Sequence, residues 1–237
     1  MGAVYFLTLR QLGSRPRLLV LAMLSAIPVF MVLMMLRGNT APSVSSFENF
    51  ILAGVLTGSI MPLMVLAITA PAFANELEDR TLANLTLAPI ARSRIVVPKL
   101  LAAVTVSAPF VAVSAFLTGE FAYLGDLRAT LAVTGGAIIG VALYAVVFLF
   151  FGLLSTQAIG LGLLYIVIWE GFLAGFVSGV RLLSIRYYAT ALMHGLDPRR
   201  FAGEDQVGFG MALGVTVVVF GGFLYLAIRR LRRMDVP

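Results

Sequence analysis

The run ILAGVLTGSIMPLMVLAITAPAFA (Ile51–Ala74) passes directly into NELEDRTLANLTLAPIARSRIVVPKLL (Asn75–Leu101). The first stretch carries no charge over 24 residues. At 1.5 Å per residue it is long enough to cross the ~30 Å hydrocarbon layer of a bilayer as a helix. The second holds seven of the chain's 28 formal charges and then returns to apolar residues. A membrane-spanning helix, a charged insert at the membrane surface and the entry of the next helix are what this order of residues predicts.

The same pattern extends over the whole chain. Of 237 residues, 60% are hydrophobic and 12% charged, whereas soluble domains are nearer half apolar and a quarter charged. Apolar runs at about 18–36, 51–74, 95–117, 129–153, 157–178 and 207–228 are each long enough to span. The expectation is a single all-α transmembrane domain over residues 1–237 with six spanning helices. The first run contains Pro28 and is followed by no convincing small-x-small cleavage site, so it reads as a retained helix. The absence of cysteine excludes disulfides and thiolate metal sites.

Counting basic residues on alternate loops orients the chain. One side holds eleven Arg and Lys against four acids, a net +7, and the other six against six, with Glu170 inside a span. Both termini and the insert are therefore expected on the cytoplasmic side. This asymmetry accounts for the overall charge of +6 without nucleic-acid binding.

Within the insert, Asn75 is placed to cap a helix, with Glu78 completing a capping box and Glu76, Glu78 and Asp79 in the first turn. Pro89 would stop it, giving a surface helix over about 76–88. Arg92, Arg94 and Lys99 follow where the next span enters, positioned to meet anionic headgroups. Two readings fit: an interfacial connector, or a docking element that transmits force from a cytoplasmic partner.

The order Glu76, Thr81-Leu82, Leu85, Pro89-Ile90-Ala91-Arg92 and Lys99-Leu100-Leu101 resembles the membrane subunits of type-2 ATP-binding-cassette (ABC) exporters. That family carries a similar pattern between its second and third spans. Departures are Arg80 and Pro98 where glycine is usual, and Ala91 where serine is usual. The stretch WEGFLAGFVSGVRLLSIRYYA (Trp169–Ala189) looks like the family's fifth span running into its external loop. The resemblance implies that the insert is a coupling helix whose Glu76, Glu78, Asp79, Arg80 and Thr81 face an ATPase subunit. It further implies an N-terminal elbow helix and short re-entrant helices between the fifth and sixth spans.

Other features carry alternatives. Over Ala3–Ser14, Tyr5, Leu9 and Leu12 fall near one helical face, fitting either an interfacial helix or a frayed basic N-terminus. Glu170 is the only carboxylate inside a span, and a charge at that depth needs a partner or water. It is a candidate gate or intramembrane polar site, or else a structural group bonded to Arg181, Arg186 or nearby backbone. The segment 179–206 contains apolar pieces too short to cross, and His194, the only histidine, reads as a surface loop residue. Gly136-x-x-x-Gly140 offers a close-packing face, for use within the chain or between two copies.

The chain has no Gly-x-x-x-x-Gly-Lys-Ser/Thr phosphate-binding loop, no HExxH and no GxSxG, so no catalytic residue or metal site is expected in it. An ATP-driven exporter of this type would need two separate ATPase subunits binding ATP and magnesium, and a second permease copy or homologue, in a prokaryotic cytoplasmic membrane. The competing classes are an ATP-independent channel or secondary transporter, which would carry more ionisable groups in its spans, and a non-transporting membrane assembly factor.

Overall fold

The architecture comes from a computed structural model that describes residues 2–37, 47–79, 91–174, 182–198 and 207–234. Among these residues all regular structure is helical. A short helix α1 (Gly2–Leu12) precedes α2 (Arg15–Arg37). Next come α3 (Glu48–Glu78), α4 (Ser93–Ala122) and α5 (Leu127–Leu154). The chain continues through α6 (Ala158–Leu173), α7 (Ile185–Leu196) and α8 (Phe209–Arg233).

Five of these, α2, α3, α4, α5 and α8, are long and apolar enough to cross a membrane. They coincide with five of the six expected spans, each a few residues longer than its apolar run. The remaining expected span, 157–178, is described only as far as Ala174. Its helix, Ala158–Leu173, is shorter than the other five.

Helix α5 sits at the centre. It packs against α4, α7, α8, α3 and α6, and it is buried around most of its circumference. Helices that are apolar on every side have no sequence-encoded inner face, and packing makes the choice for them. In α2, Leu21, Pro28 and Val32 turn inward while Met23 and Phe30 stay exposed. In α8, Ala212, Thr216, Ala227 and Leu231 are inward and Val217 and Val218 exposed. These two helices form the periphery, against α4 and α3 for α2 and against α5 and α7 for α8.

Helix α1 packs on α4, with Thr8 and Leu12 buried. Tyr5 Oη donates to Thr105 Oγ1 at 3.1 Å. Arg17 Nη1, at the start of α2, donates to the Gln11 carbonyl at 3.0 Å, satisfying one of the orphan acceptors at the end of α1. Ser114 Oγ ties α4 to α2 through the Ser25 carbonyl at 2.7 Å.

Two stretches are π-helical, Glu48–Ile60 at the start of α3 and Tyr165–Leu173 in α6, and they pack against each other. π-helical turns are rare and concentrate at functional positions. Here they bring Thr57 and Glu170, both fully buried, into the interior.

Candidate functional site

Two polar sites stand out from the apolar bundle. The first lies at the junction of α3 and α4. The helical ladder of α3 runs through its end: Ala70 N–H donates to Leu66 O, Ala74 N–H to Ala70 O, and Asp79 N–H to Asn75 O. Pro71 lacks an N–H and so removes one bond there, and the ladder resumes beyond it. Asn75 is thus interior to the segment Pro71–Glu78 and starts no helix, contrary to the capping expectation. Glu76, Glu78 and Asp79 occupy the last turn of α3 and its C-cap, where the helix dipole disfavours negative charge.

Lys99, the chain's only lysine, answers one of those charges. Its Nζ lies 2.5 Å from Glu76 Oε1, donates to the Ala72 carbonyl at 2.6 Å, and sits 4.3 Å from the centroid of the Phe73 ring. The side chain is 1% exposed. The expectation that Lys99 meets lipid headgroups is therefore corrected: it is an internal clamp between α3 and α4. Pairing also turns Glu76 inward, whereas Glu78 and Asp79 remain exposed at the tip of α3. Arg80 and Thr81, and most of the expected helix at 76–88, lie outside the described residues.

The second site is built around Glu170. Tyr165 Oη and the Ile185 N–H each donate to Glu170 Oε1 at 2.9 Å, and Ser184 Oγ donates to Oε2. Ser184 is also the N-cap of α7, its Oγ accepting from the Tyr187 N–H at 3.2 Å. The carboxylate therefore closes the N-terminus of α7, where backbone N–H groups and the helix dipole favour a negative charge. Among the structural alternatives open from sequence, a bond to nearby backbone is formed, from the Ile185 N–H. The Tyr144 hydroxyl is buried in the field of both Glu170 and Arg186. Arg186 also passes close to the backbone of Gly58, where an added Cβ would lie 3.0 Å from Nη1. Arg181 lies outside the described residues.

Tyr165 and Ser184 were missed in sequence. Ser184 had a readable signal, a serine directly before an amphipathic stretch. The glycines of Gly136-x-x-x-Gly140 are used within the chain. A Cβ at Gly136 would sit 2.4 Å from Met193 Cγ, and one at Gly140 2.8 Å from Met61 Cε, so α7 and α3 fill that face of α5. His194 lies in the last turn of α7, and burial pushes its imidazole down to about 4. The surface-loop expectation for it is corrected.

A family model described as "ABC-2 family transporter protein" matches residues 14–180, more than half of the chain. The chain belongs to the ABC-2 transporter family. No curated protein gave a match. The ABC-2 match begins just ahead of α2 and takes in the α3–α4 junction and Glu170. With its five apolar helices, this ABC-2 chain is an integral membrane protein, and its family is that of type-2 ABC transporter permeases.

Proposed function

We propose that this ABC-2 chain is the permease half of an ATP-driven exporter. In this reading it pairs with a second copy or homologue and takes its motion from two ATPase subunits at the α3–α4 junction. The observation that carries the reading is the Lys99–Glu76 clamp. The 30 residues of α4 extend about 45 Å, more than the ~30 Å hydrocarbon layer, and the clamp ties the end of α3 to its start. The end of α3 and the start of α4 then project together as a stiff pair.

A buried ion pair with a backbone bond and a ring contact makes these two helices move as one body. Force applied at the tip would pass along both spans to the central α5. Exposed Glu78 and Asp79 sit where the α3 dipole opposes them, an arrangement that a cationic groove on a partner would relieve. The family resemblance would extend the same contact to Arg80 and Thr81, which lie outside the described residues. The nucleotide and its magnesium belong to the partner, since the chain's sequence has no phosphate-binding loop. Helix α1, lying against α4 before the first span, fits an elbow helix, and both termini are assigned to the cytoplasmic side.

Coupling requires contacts that differ between two states. Glu170 on α6 holds the start of α7 through two donors, Ser184 Oγ and the Ile185 N–H, while Tyr165 of its own helix supplies a third bond, which supports a positioning role at the external gate.

The test is co-purification of tagged chain with the ATPase encoded nearest to it, followed by charge reversal of Glu78 and Asp79. The expected outcome is loss of ATPase capture and of vesicle-stimulated ATP hydrolysis, with the permease still monodisperse. Undiminished capture and transport in the reversed variant would overturn the coupling assignment.

A further inference from the structure

Between α5, α6, α7 and α8 lies an elongated cavity of about 300 Å³, at the small end of ligand-pocket sizes. Leu143 and Phe151 line it from α5, Trp169 from α6, Tyr188 from α7, and Thr216 and Val219 from α8. Protein interiors rarely leave voids larger than a water molecule, and a cavity walled by apolar side chains does not hold ordered water.

Its polar lining is committed elsewhere, with one exception. Tyr165 Oη donates to Glu170, Tyr188 Oη to the Leu182 carbonyl at 2.6 Å, and Trp169 Nε1 to the Leu183 carbonyl at 3.3 Å. Thr216 is more than nine-tenths buried, and its Oγ1 has no hydrogen-bond partner. Thr105, Thr134 and Thr190 donate back to a carbonyl four residues earlier; Thr69 and Thr118 share the unpartnered state of Thr216, and of these three Thr216 alone lines the cavity. A buried hydroxyl left unsatisfied is costly, and an acceptor on a ligand in the cavity would satisfy it.

We propose that this cavity holds the ester-proximal part of one acyl chain of a bilayer glycerophospholipid, its ester carbonyl accepting from Thr216 Oγ1. Three features select that occupant. The lining is almost wholly apolar, which suits a hydrocarbon tail. From Thr216 to Phe223 the cavity follows α8 for about 10 Å, parallel to the helix axes as a lipid tail lies. Its rim helices present exposed Phe172 on α6 and Val218 on α8, surfaces that in an integral membrane protein face lipid. The site lies within one chain and does not depend on the partner ATPase proposed above.

Trp169 is the chain's only tryptophan, so its fluorescence reports this cavity without labelling. The full chain is reconstituted into phosphatidylcholine vesicles with and without bromine atoms on one acyl chain, and the ratio of emission is measured. Bromolipid is expected to quench the wild type. Val219→Phe from one wall and Leu143→Phe from the opposite wall, either sufficing if the other fails to fold, should reduce that quenching roughly twofold, because the half-buried ring loses lipid contact on its cavity side. Val218→Phe, on the exposed face of α8, should leave it unchanged. Equal quenching in the filled variants and the wild type would mean contact with surrounding lipid only and would overturn the proposal. So would a wild type that bromolipid does not quench.

Discussion

Lys99 Nζ and Glu76 Oε1 meet at 2.5 Å across the α3–α4 junction, with the lysine 1% exposed. A pair this buried contributes little to net stability against an apolar replacement, but it punishes removal of one partner. Lys99→Met is therefore expected to destabilise the protein by about 3–5 kcal/mol, because Glu76 is left charged against the α3 C-terminal dipole. Adding Glu76→Gln should recover part of that loss. Thermal unfolding in detergent of both single variants and the double variant measures the coupling, and strictly additive losses would mean that the two side chains act independently.

Glu170 accepts three hydrogen bonds while fully buried. Glu170→Gln places an amide donor against one of those donors and should cost about 1–3 kcal/mol. Glu170→Ala should cost more, since it strips the N-terminus of α7 of its acceptor as well as leaving a void. The check is the melting temperature of each variant beside the wild type, with Tyr165→Phe expected to show the smallest loss of the three.

Gly136 admits Met193 of α7 so closely that an added methyl would lie 2.4 Å from Met193 Cγ and 3.1 Å from the Ala189 carbonyl. Gly136→Ala should destabilise by about 1–3 kcal/mol through overpacking. Combining it with Met193→Ala relieves the side-chain clash but not the one with backbone, so the double variant should lose less than the sum of the singles. A double-mutant cycle on thermal unfolding reads this directly.

The imidazole of His194 titrates at about 4 in the fold, against an ordinary value of 6.5, because burial disfavours its charged form. Between those values the unfolded chain binds a proton that the folded chain refuses. Stability from this group is thus present above pH 6.5, falls as pH drops toward 4 and levels off below that. Because solvent reaches part of the ring, the effect should amount to only about 1–2 kcal/mol. Comparing the wild type with His194→Gln at pH 4.5 and pH 7.5 isolates it: the difference between the two proteins should shrink or reverse at the lower pH.

Where reading and structure part company, the reason is the same each time. Asn75, Glu76 and Glu78 have the spacing of a capping box, yet the helix ladder of α3 runs on through Ala70 to Asp79 and leaves Asn75 no cap to make. Pro71 removes one hydrogen bond without ending the helix, so local pattern cannot tell the end of the old helix from the start of a new one. Lys99 lies 23 positions after its partner Glu76, and composition alone placed it at the lipid surface. The Glu170 site draws on Tyr165, Ser184 and the backbone of Ile185, which come together only when α7 folds back against α6 and α5.

The sequence by itself determined that this is an all-helical membrane protein, where its long helices run, and that Glu170 is a buried group in need of partners. Those conclusions rest on the free energy of placing whole segments in hydrocarbon, which depends on local composition. Tertiary structure alone decided which faces of α2 and α8 turn inward, that Gly136 and Gly140 receive Met193 and Met61, and that Lys99 closes on Glu76. Helices that are apolar on every side gain nothing from hydrophobicity by choosing one face over another. Close packing of small against large residues, and the pairing of a few buried polar groups, make that choice.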